Sequence, residues 1–158
     1  MAYELKVDGM AEVSELLSKM EKAAPAIAAE ALYEGAGIMS AEIKSAAEAI
    51  KTGPGSDRND ARYPTPEEKA AVLSVGAGIA RFDKNGTEIN TSVGYRNAGY
   101  IDIKGKRKPI PQIVNAINSG TSFMHKQPFV KKASKSGGAK AMGVMKAFIE
   151  DAFEKMNK

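Results

Sequence analysis

Hydrophobic residues recur along this chain with two different periods, which predict helices and strands respectively. Apolar positions spaced by three or four residues predict amphipathic helices at residues 10–22, 26–50, 111–119 and 139–156. Alternating apolar and polar positions predict strands at residues 3–7, 72–82, 87–95 and 100–104. The order predicts an α+β fold: an antiparallel sheet of three to four strands, with two N-terminal helices (the second long) and a C-terminal helix packed on one face.

Proline and glycine are expected to interrupt the helical pattern. Pro25 should end the first helix or begin the second, because proline lacks the amide hydrogen that a helix interior uses. Gly35 and Gly37 each cost a helix about 1 kcal/mol relative to alanine. We therefore expect another segment to pack closely against the helix at these glycines. The Ser-Gly-Gly sequence at residues 136–138 predicts a flexible joint, and residues 105–109 predict a basic turn.

Two polar loops are candidate docking segments. Residues 51–66 combine turn-forming residues with almost no apolar anchor, which predicts a long flexible loop. The second loop follows Gly120, which is expected to end the short helix before it. Phe123 and Met124 in this loop are candidate apolar anchors. Phe129, just beyond the loop, is expected in the core, with a role as a third anchor as the alternative.

Composition limits the class of protein. The 158 residues are most simply one domain, over residues 1–158. The chain has no cysteine, which excludes disulfides, thiol nucleophiles and thiolate metal sites. No apolar run approaches the roughly 20 residues that a membrane span requires, so no membrane partner is expected.

Charge is distributed unevenly along the chain. Residues 1–50 carry nine acidic side chains and four lysines, a net charge of −5. Residues 51–158 carry nineteen basic and ten acidic side chains, a net charge of +9. No carboxylate side chain occurs between residues 103 and 149, where ten lysines and arginines lie. This basic stretch indicates a solvated basic face, a phosphate-facing surface, or complementary charge between neighbouring copies.

The chain lacks the residue patterns of catalysis. His125 is the only histidine and lies in a lysine-flanked polar loop, where a solvated or interface imidazole is the ordinary interpretation. The glycine-rich residues 53–56 and 76–78 lack the remaining positions of nucleotide-binding motifs. We expect no catalytic residue, metal or cofactor, and predict that the protein is not an enzyme.

One cationic cluster is a candidate for contact with DNA or with another subunit. It consists of Lys104, Lys106, Arg107 and Lys108. Such a cluster attracts phosphates without reading sequence, and the nearby Tyr95 and Tyr100 are candidates for stacking on bases. A nonspecific DNA-binding accessory protein that uses the basic 104–140 region is therefore the alternative function.

Several short motifs occur in the order and spacing of a known family. Residues 3–32 are similar to its opening strand, first helix and long second helix, and residues 34–55 to the end of that helix and a Thr-Gly loop. Residues 117–122 (INSGTS) correspond to its Gly-Thr-Ser element, and residues 127–133 (QPFVKKA) to its Gln-Pro-Phe element. The chain thus resembles the small tail components of lambda-like long-tailed bacteriophages, which are neck, tail-completion or head–tail joining proteins.

The resemblance implies a structural protein of the virion, made in the bacterial host cytoplasm and located at the head–tail junction. It implies a homo-oligomer, a hexameric ring, whose partners are the head-completion or connector protein and the tail tube or tail terminator protein. We expect the acidic helices of one subunit to face residues 126–140 of the next, with nonspecific contact to passing DNA. The candidate interface residues are Asn118, Ser119, Gly120, Thr121, Ser122, Phe123, Met124, His125, Lys126, Gln127, Lys131 and Lys132.

Overall fold

The computed structural model describes residues 10–53, 62–79, 83–85 and 88–158. The strand predicted at residues 3–7 and the central part of the first candidate docking loop, residues 54–61, lie outside these ranges.

Two helices, six short strands and two further helices follow one another along the described chain, which confirms the mixture of helix and strand. The helices are α1 (Met10–Glu48), α2 (Pro66–Val75), α3 (Ile110–Ser119) and α4 (Phe129–Met156). The strands are β1 (Gly78–Ile79), β2 (Asp83–Asn85), β3 (Glu88–Asn90), β4 (Val93–Gly94), β5 (Tyr100–Ile103) and β6 (Lys106–Pro109). Antiparallel pairs join β1 to β4, β2 to β3 and β5 to β6. A continuous sheet of three to four strands stays a prediction.

The longest element is α1, which merges the two predicted N-terminal helices. Pro25 lies inside this helix, so the predicted break at this residue is wrong. A proline in a helix interior costs about 3 kcal/mol, because it removes one hydrogen bond and crowds the preceding turn. Half-buried positions continue in helical phase on both sides of the proline, from Met20 through Ala24 and Ile27 to the buried Ala31. Packing along this stripe offsets the local cost.

The prediction of close packing is confirmed at Gly35 and wrong at Gly37. A Cβ atom at Gly35 would lie 2.7 Å from Cγ and Sδ of Met145, so the missing side chain is what admits α4. A Cβ atom at Gly37 would meet nothing within 4 Å, because this residue faces away from the helix pair.

The predicted joint at residues 136–138 is wrong, because these residues lie inside α4. A Cβ atom at Gly137 would lie 2.9 Å from Cγ of Glu42 and 3.0 Å from Sδ of Met39. The helix also begins ten residues earlier than predicted, at Phe129 rather than residue 139. The glycine therefore serves close packing against α1, and the pairing of residue 35 with 145 and of 42 with 137 makes the two helices antiparallel.

Helix α2 replaces the first four residues of the strand predicted at residues 72–82. Thr65 caps the helix: its side chain accepts a hydrogen bond from the Glu68 N–H, and the Glu68 side chain accepts one from the Thr65 N–H. Pro66 follows at the first helical position, where a missing N–H costs nothing. This capping box starts a helix within the segment that the proline content had assigned to a loop.

Strands β5 and β6 form a hairpin where the sequence predicted one strand followed by a basic turn. Lys104 and Gly105, with φ angles of 51° and 74°, make the two-residue connection. Consecutive positive φ values match the twist of paired strands, and Ile103 accordingly pairs with Lys106. Residues 106–109 are therefore a strand, and the predicted turn there is wrong.

Among the described residues, a cluster of buried apolar side chains joins α1, α2, α3, the start of α4 and strands β4 and β5. The predicted short helix is confirmed as α3, whose apolar face buries Ile110, Ile113, Val114 and Ile117. Phe129 is 3% exposed and packs edge-on against Tyr95, which confirms Phe129 as a core residue. Among the described residues, no helix combines the length and the apolar character needed to cross a membrane.

The contrast between the two α1 glycines gives a matched test of the helix pair. Gly35→Val should lower the free energy of unfolding by about 1–3 kcal/mol, because the new side chain overlaps Met145. Gly37→Val, two residues away, should change it by less than about 0.5 kcal/mol, as an open surface site. Urea denaturation of both variants measures the difference, and equal effects would contradict this packing.

Candidate functional site

The two candidate docking loops lie side by side and are hydrogen-bonded to each other. The Arg62 N–H donates to the Phe123 carbonyl at 2.8 Å, and the His125 N–H donates to the Arg62 carbonyl at 2.9 Å. The Gln127 side chain accepts from the Lys51 N–H at 2.8 Å and donates to the Lys51 carbonyl at 3.0 Å. Residues 51–53, 62–65 and 119–127 therefore form one structure, which we call the two-loop surface.

A tight turn within this surface displays one aromatic side chain and buries its neighbour. The N–H groups of Thr121 and Met124 donate to each other's carbonyls at 3.0 and 3.3 Å, and the Phe123 N–H donates to Oγ1 of Thr121 at 3.2 Å. Met124 is 5% exposed and packs in the core, so its predicted role as a docking anchor is wrong. Phe123 is 77% exposed. Met124 thus attaches the turn to the core while Phe123 points outward.

Glycine is required at the start of this loop. Gly120 has a φ of 75°, a conformation that a side chain strains, and it ends α3 as predicted. A Cβ atom there would lie 2.9 Å from Cβ of Lys126 and 3.2 Å from its backbone nitrogen. Asn118, on the last turn of α3, accepts a hydrogen bond through Oδ1 from the Val130 N–H at 3.2 Å. Gly120 and Asn118 therefore shape the loop.

The remaining predicted interface residues are on the surface. The exposed residues of this set are Ser119, Thr121, Ser122, His125, Lys126, Lys131 and Lys132. The His125 ring lies against the ring of Tyr63, with 4.7 Å between their centroids. The two-loop surface therefore presents Phe123 beside a histidine–tyrosine pair with a lysine at its edge. Among the described residues, no three histidine or acidic side chains lie close enough together to hold a metal ion.

A buried ion pair supports the two-loop surface from below. Glu68 is 3% exposed, and its carboxylate accepts two hydrogen bonds from the Arg62 guanidinium, at 2.7 and 2.8 Å. It also accepts one from the Thr65 N–H at 3.0 Å and a longer one from Nζ of Lys108 at 3.4 Å. Burial would raise the pKa of Glu68, but the hydrogen bonds and charges of Arg62, Thr65 and Lys108 together lower it to about 2.

The members of the cationic cluster on the β5–β6 hairpin have different partners within the chain. Lys108 points toward Glu68, and the charge of Lys104 contributes to lowering the pKa of Glu67, after hydrogen bonds from the Glu67 backbone and Thr65. Arg107 lies over the Tyr100 ring, with its Cζ atom 4.5 Å from the ring centroid.

The structure therefore offers fewer groups to DNA than the sequence suggested. Lys104, Lys106 and Arg107 are exposed, and so is Tyr100. Tyr95 is 5% exposed within the core, so the prediction that it stacks on bases is wrong. Its hydroxyl has no hydrogen-bond partner among the described residues, and burial raises its pKa.

Sequence reasoning missed the residues that join the loops. Arg62 and Glu68 were not predicted as a pair, and Lys51 was not predicted as the partner of Gln127. The Thr-x-x-Glu spacing at residues 65–68 was a usable signal for a helix start, and hence for a fixed end to the long loop. The contacts of Arg62 and Lys51 with the second loop have no local signal, because they join residues more than sixty positions apart.

Comparison of the chain with family models, with curated proteins and with solved structures finds no match. The bacteriophage resemblance is therefore supported by the sequence motifs alone.

The buried carboxylate predicts a specific dependence of stability on pH. The pKa of Glu68 is about 2 in the folded chain against an ordinary value of 4.5, so its ionised form stabilises the fold above pH about 4.5. As pH falls from about 5 to 2, the protein should lose roughly 3 kcal/mol of stability through this group. Glu68→Gln should lower stability by a similar amount at pH 7, with the two proteins converging near pH 2.

Urea denaturation between pH 2 and 7 measures this effect. Glu67→Gln is the matched control, since Glu67 is the exposed neighbour of Glu68 on the same helical turn. A constant difference between wild type and Glu68→Gln over the whole range would contradict the assignment.

Proposed function

We propose that this chain is a structural protein of a long-tailed bacteriophage particle, which forms a ring at the head–tail junction and joins the tail tube to the head connector. One observation carries the proposal: a hydrogen-bonded turn between the two family-like motifs, residues 117–122 and 127–133, leaves Phe123 77% exposed. A protein that works through its surfaces needs such a preformed apolar contact.

The energetics of association favour this geometry. A few buried aromatic side chains supply most of the affinity in a typical protein interface. Ordering a loop on binding subtracts from that affinity, and a loop that is already ordered avoids this loss. The hydrogen bonds of Thr121 and Arg62 and the burial of Met124 hold the turn in place before any partner arrives. We infer that Phe123 inserts into an apolar pocket of the adjoining tail or connector protein.

Charge complementarity supports contact between neighbouring copies. Lys131 and Lys132 are exposed near the N-terminus of α4, where the helix dipole disfavours positive charge by about 0.3–1 kcal/mol. Glu30 and Glu34 are exposed on α1. In a ring, each subunit presents two different faces to its neighbours, and these opposite charges would meet there.

Contacts within the chain exclude one lysine from the proposed contact between copies. Lys140 forms an ion pair with Glu42 of its own α1, and the Ser136 hydroxyl donates to the same carboxylate. We therefore place the contact between copies at Lys126, Lys131 and Lys132, and leave Lys140 out of it.

The first prediction concerns the anchor. Phe123→Ala should leave the free energy of unfolding within about 0.5 kcal/mol of wild type, because the side chain is exposed. In a phage that carries this gene, the variant should fail to complement a null allele, and free heads and free tails should accumulate in electron micrographs. Met142→Ala is the matched control and should complement, since Met142 is an exposed apolar residue of α4 outside the candidate interface.

Failure of the wild-type gene to affect joining of heads and tails would overturn the proposal. The DNA-binding alternative would instead require tight binding to nonspecific duplex DNA that weakens steeply between 50 and 200 mM salt, as expected when several phosphates are contacted.

The second prediction concerns the ring. The double variant Lys131→Glu/Lys132→Glu should assemble at least tenfold less readily than wild type at about 50 mM salt, because it places negative charge opposite the α1 glutamates. Adding Glu30→Lys/Glu34→Lys should restore assembly. Analytical ultracentrifugation of the purified protein, alone and with its partners, provides the measurement.

Lys146→Glu is the control, since Lys146 is an exposed residue of α4 outside the proposed contact. Equal loss of assembly in Lys146→Glu would show that net charge alone is responsible, and the pairing of α4 with α1 would then be wrong.

A further inference from the structure

A groove of about 780 Å³ runs along α3 and extends into the two-loop surface, where Gly120, Thr121 and Met124 line it and Phe123 does not. One wall is the polar face of α3, with Gln112, Asn115 and Ser119, and Ile113 contributes to its apolar lining. Arg62, Glu68 and Lys108 lie at one end. Its volume is within the range of natural ligand sites, and it combines apolar lining with converging polar groups and a carboxylate of strongly lowered pKa.

The charge of the groove favours a negatively charged ligand. Two cations, Arg62 and Lys108, face the single carboxylate of Glu68, which leaves a net charge of +1. The Arg62 guanidinium donates short hydrogen bonds to the Glu68 carboxylate. Lys108 Nζ contacts the same carboxylate only at 3.4 Å, and the Lys108 side chain is 38% exposed. The Lys108 ammonium therefore retains donors for an incoming anion. A net charge of +1 attracts an anion, and a single carboxylate is enough to neutralise it.

The length and polarity of the α3 wall indicate an extended peptide. Gln112 and Ser119 are seven residues apart on the helix, or about 10 Å, which is the length of about three extended residues. The amide side chains of Gln112 and Asn115 each carry both a donor and an acceptor, as does every unit of a peptide backbone. Both are exposed, so these groups are accessible to a ligand.

We propose that the α3 groove binds an extended segment of another protein that carries one carboxylate side chain beside apolar ones. Lys108 binds the carboxylate, Gln112 and Asn115 bind the backbone, and an apolar side chain rests against Ile113. Among the described residues that line the groove, the two cations Arg62 and Lys108 outnumber the single carboxylate of Glu68, so this end of the groove is complementary to an acidic partner. The inference is independent of the bacteriophage role, because it depends only on the groove.

A short peptide tests this inference directly. The probe is N-acetyl-Leu-Glu-Leu-amide, titrated to about 10 mM into the ¹⁵N-labelled protein, with N-acetyl-Leu-Gln-Leu-amide as the neutral comparison. The acidic peptide should shift the side-chain amide signals of Gln112 and Asn115 and should bind at least fivefold more tightly than the neutral one. Lys108→Gln should reduce its affinity to that of the neutral peptide.

Lys106→Gln is the matched control, since Lys106 lies on the same strand outside the groove lining and should leave the affinity unchanged. The spectrum of each variant shows whether it is folded. Equal affinity for the two peptides, no shift at Gln112 and Asn115, or an equal effect of Lys106→Gln would overturn the proposal. So would tighter binding of inorganic phosphate at the same signals, or movement of those signals on dilution of the protein alone, which would indicate a second copy in the groove.

Discussion

One buried carboxylate joins the end of the long loop and the start of α2 to the distant strand β6. Glu68 contacts Arg62 in the long loop, Thr65 at the start of α2 and Lys108 on β6. Removing a buried charge from water costs several kcal/mol, and only complete hydrogen bonding compensates for it. The carboxylate is therefore stable only when all three segments are in place, which makes the position of each conditional on the others.

The backbone of Arg62 connects the buried ion pair to the exposed turn at Phe123. The guanidinium is held by Glu68, and the N–H and carbonyl of the same residue bond to Phe123 and His125. Side chain and main chain of one residue thus connect the buried ion pair to the exposed turn. The hydrogen bonds of Arg62 fix the backbone of the turn on both sides of Met124. Phe123 is therefore held in an exposed position and does not fold back onto the core.

Local signals predicted the elements that depend on neighbouring residues. The apolar face of α3, its end at Gly120 and the burial of Phe129 all follow from spacing and backbone preference. The interior Pro25 and Gly137 were misassigned, because each is unfavourable in an isolated helix. Gly137 is accommodated by close packing of α4 against α1, and Pro25 lies at an exposed position of α1. Helix propensity describes the conformation that a segment prefers in isolation. In the pair formed by α1 and α4, tertiary packing outweighs that preference.

The sequence predicted many of the residues that form the candidate site, but it did not predict which of their side chains are exposed and which are buried. The polar Gly-Thr loop was recognised, yet the separate roles of Phe123 and Met124 were not, since adjacent apolar residues look alike in sequence. The four cations at residues 104–108 were read as one patch, but strand pairing directs Lys108 toward Glu68 and leaves Arg107 against Tyr100. Alternation along a strand thus separates a charge cluster into groups with different partners. A cluster that is contiguous in sequence supports a common binding role only when its segment is irregular or its members share a face.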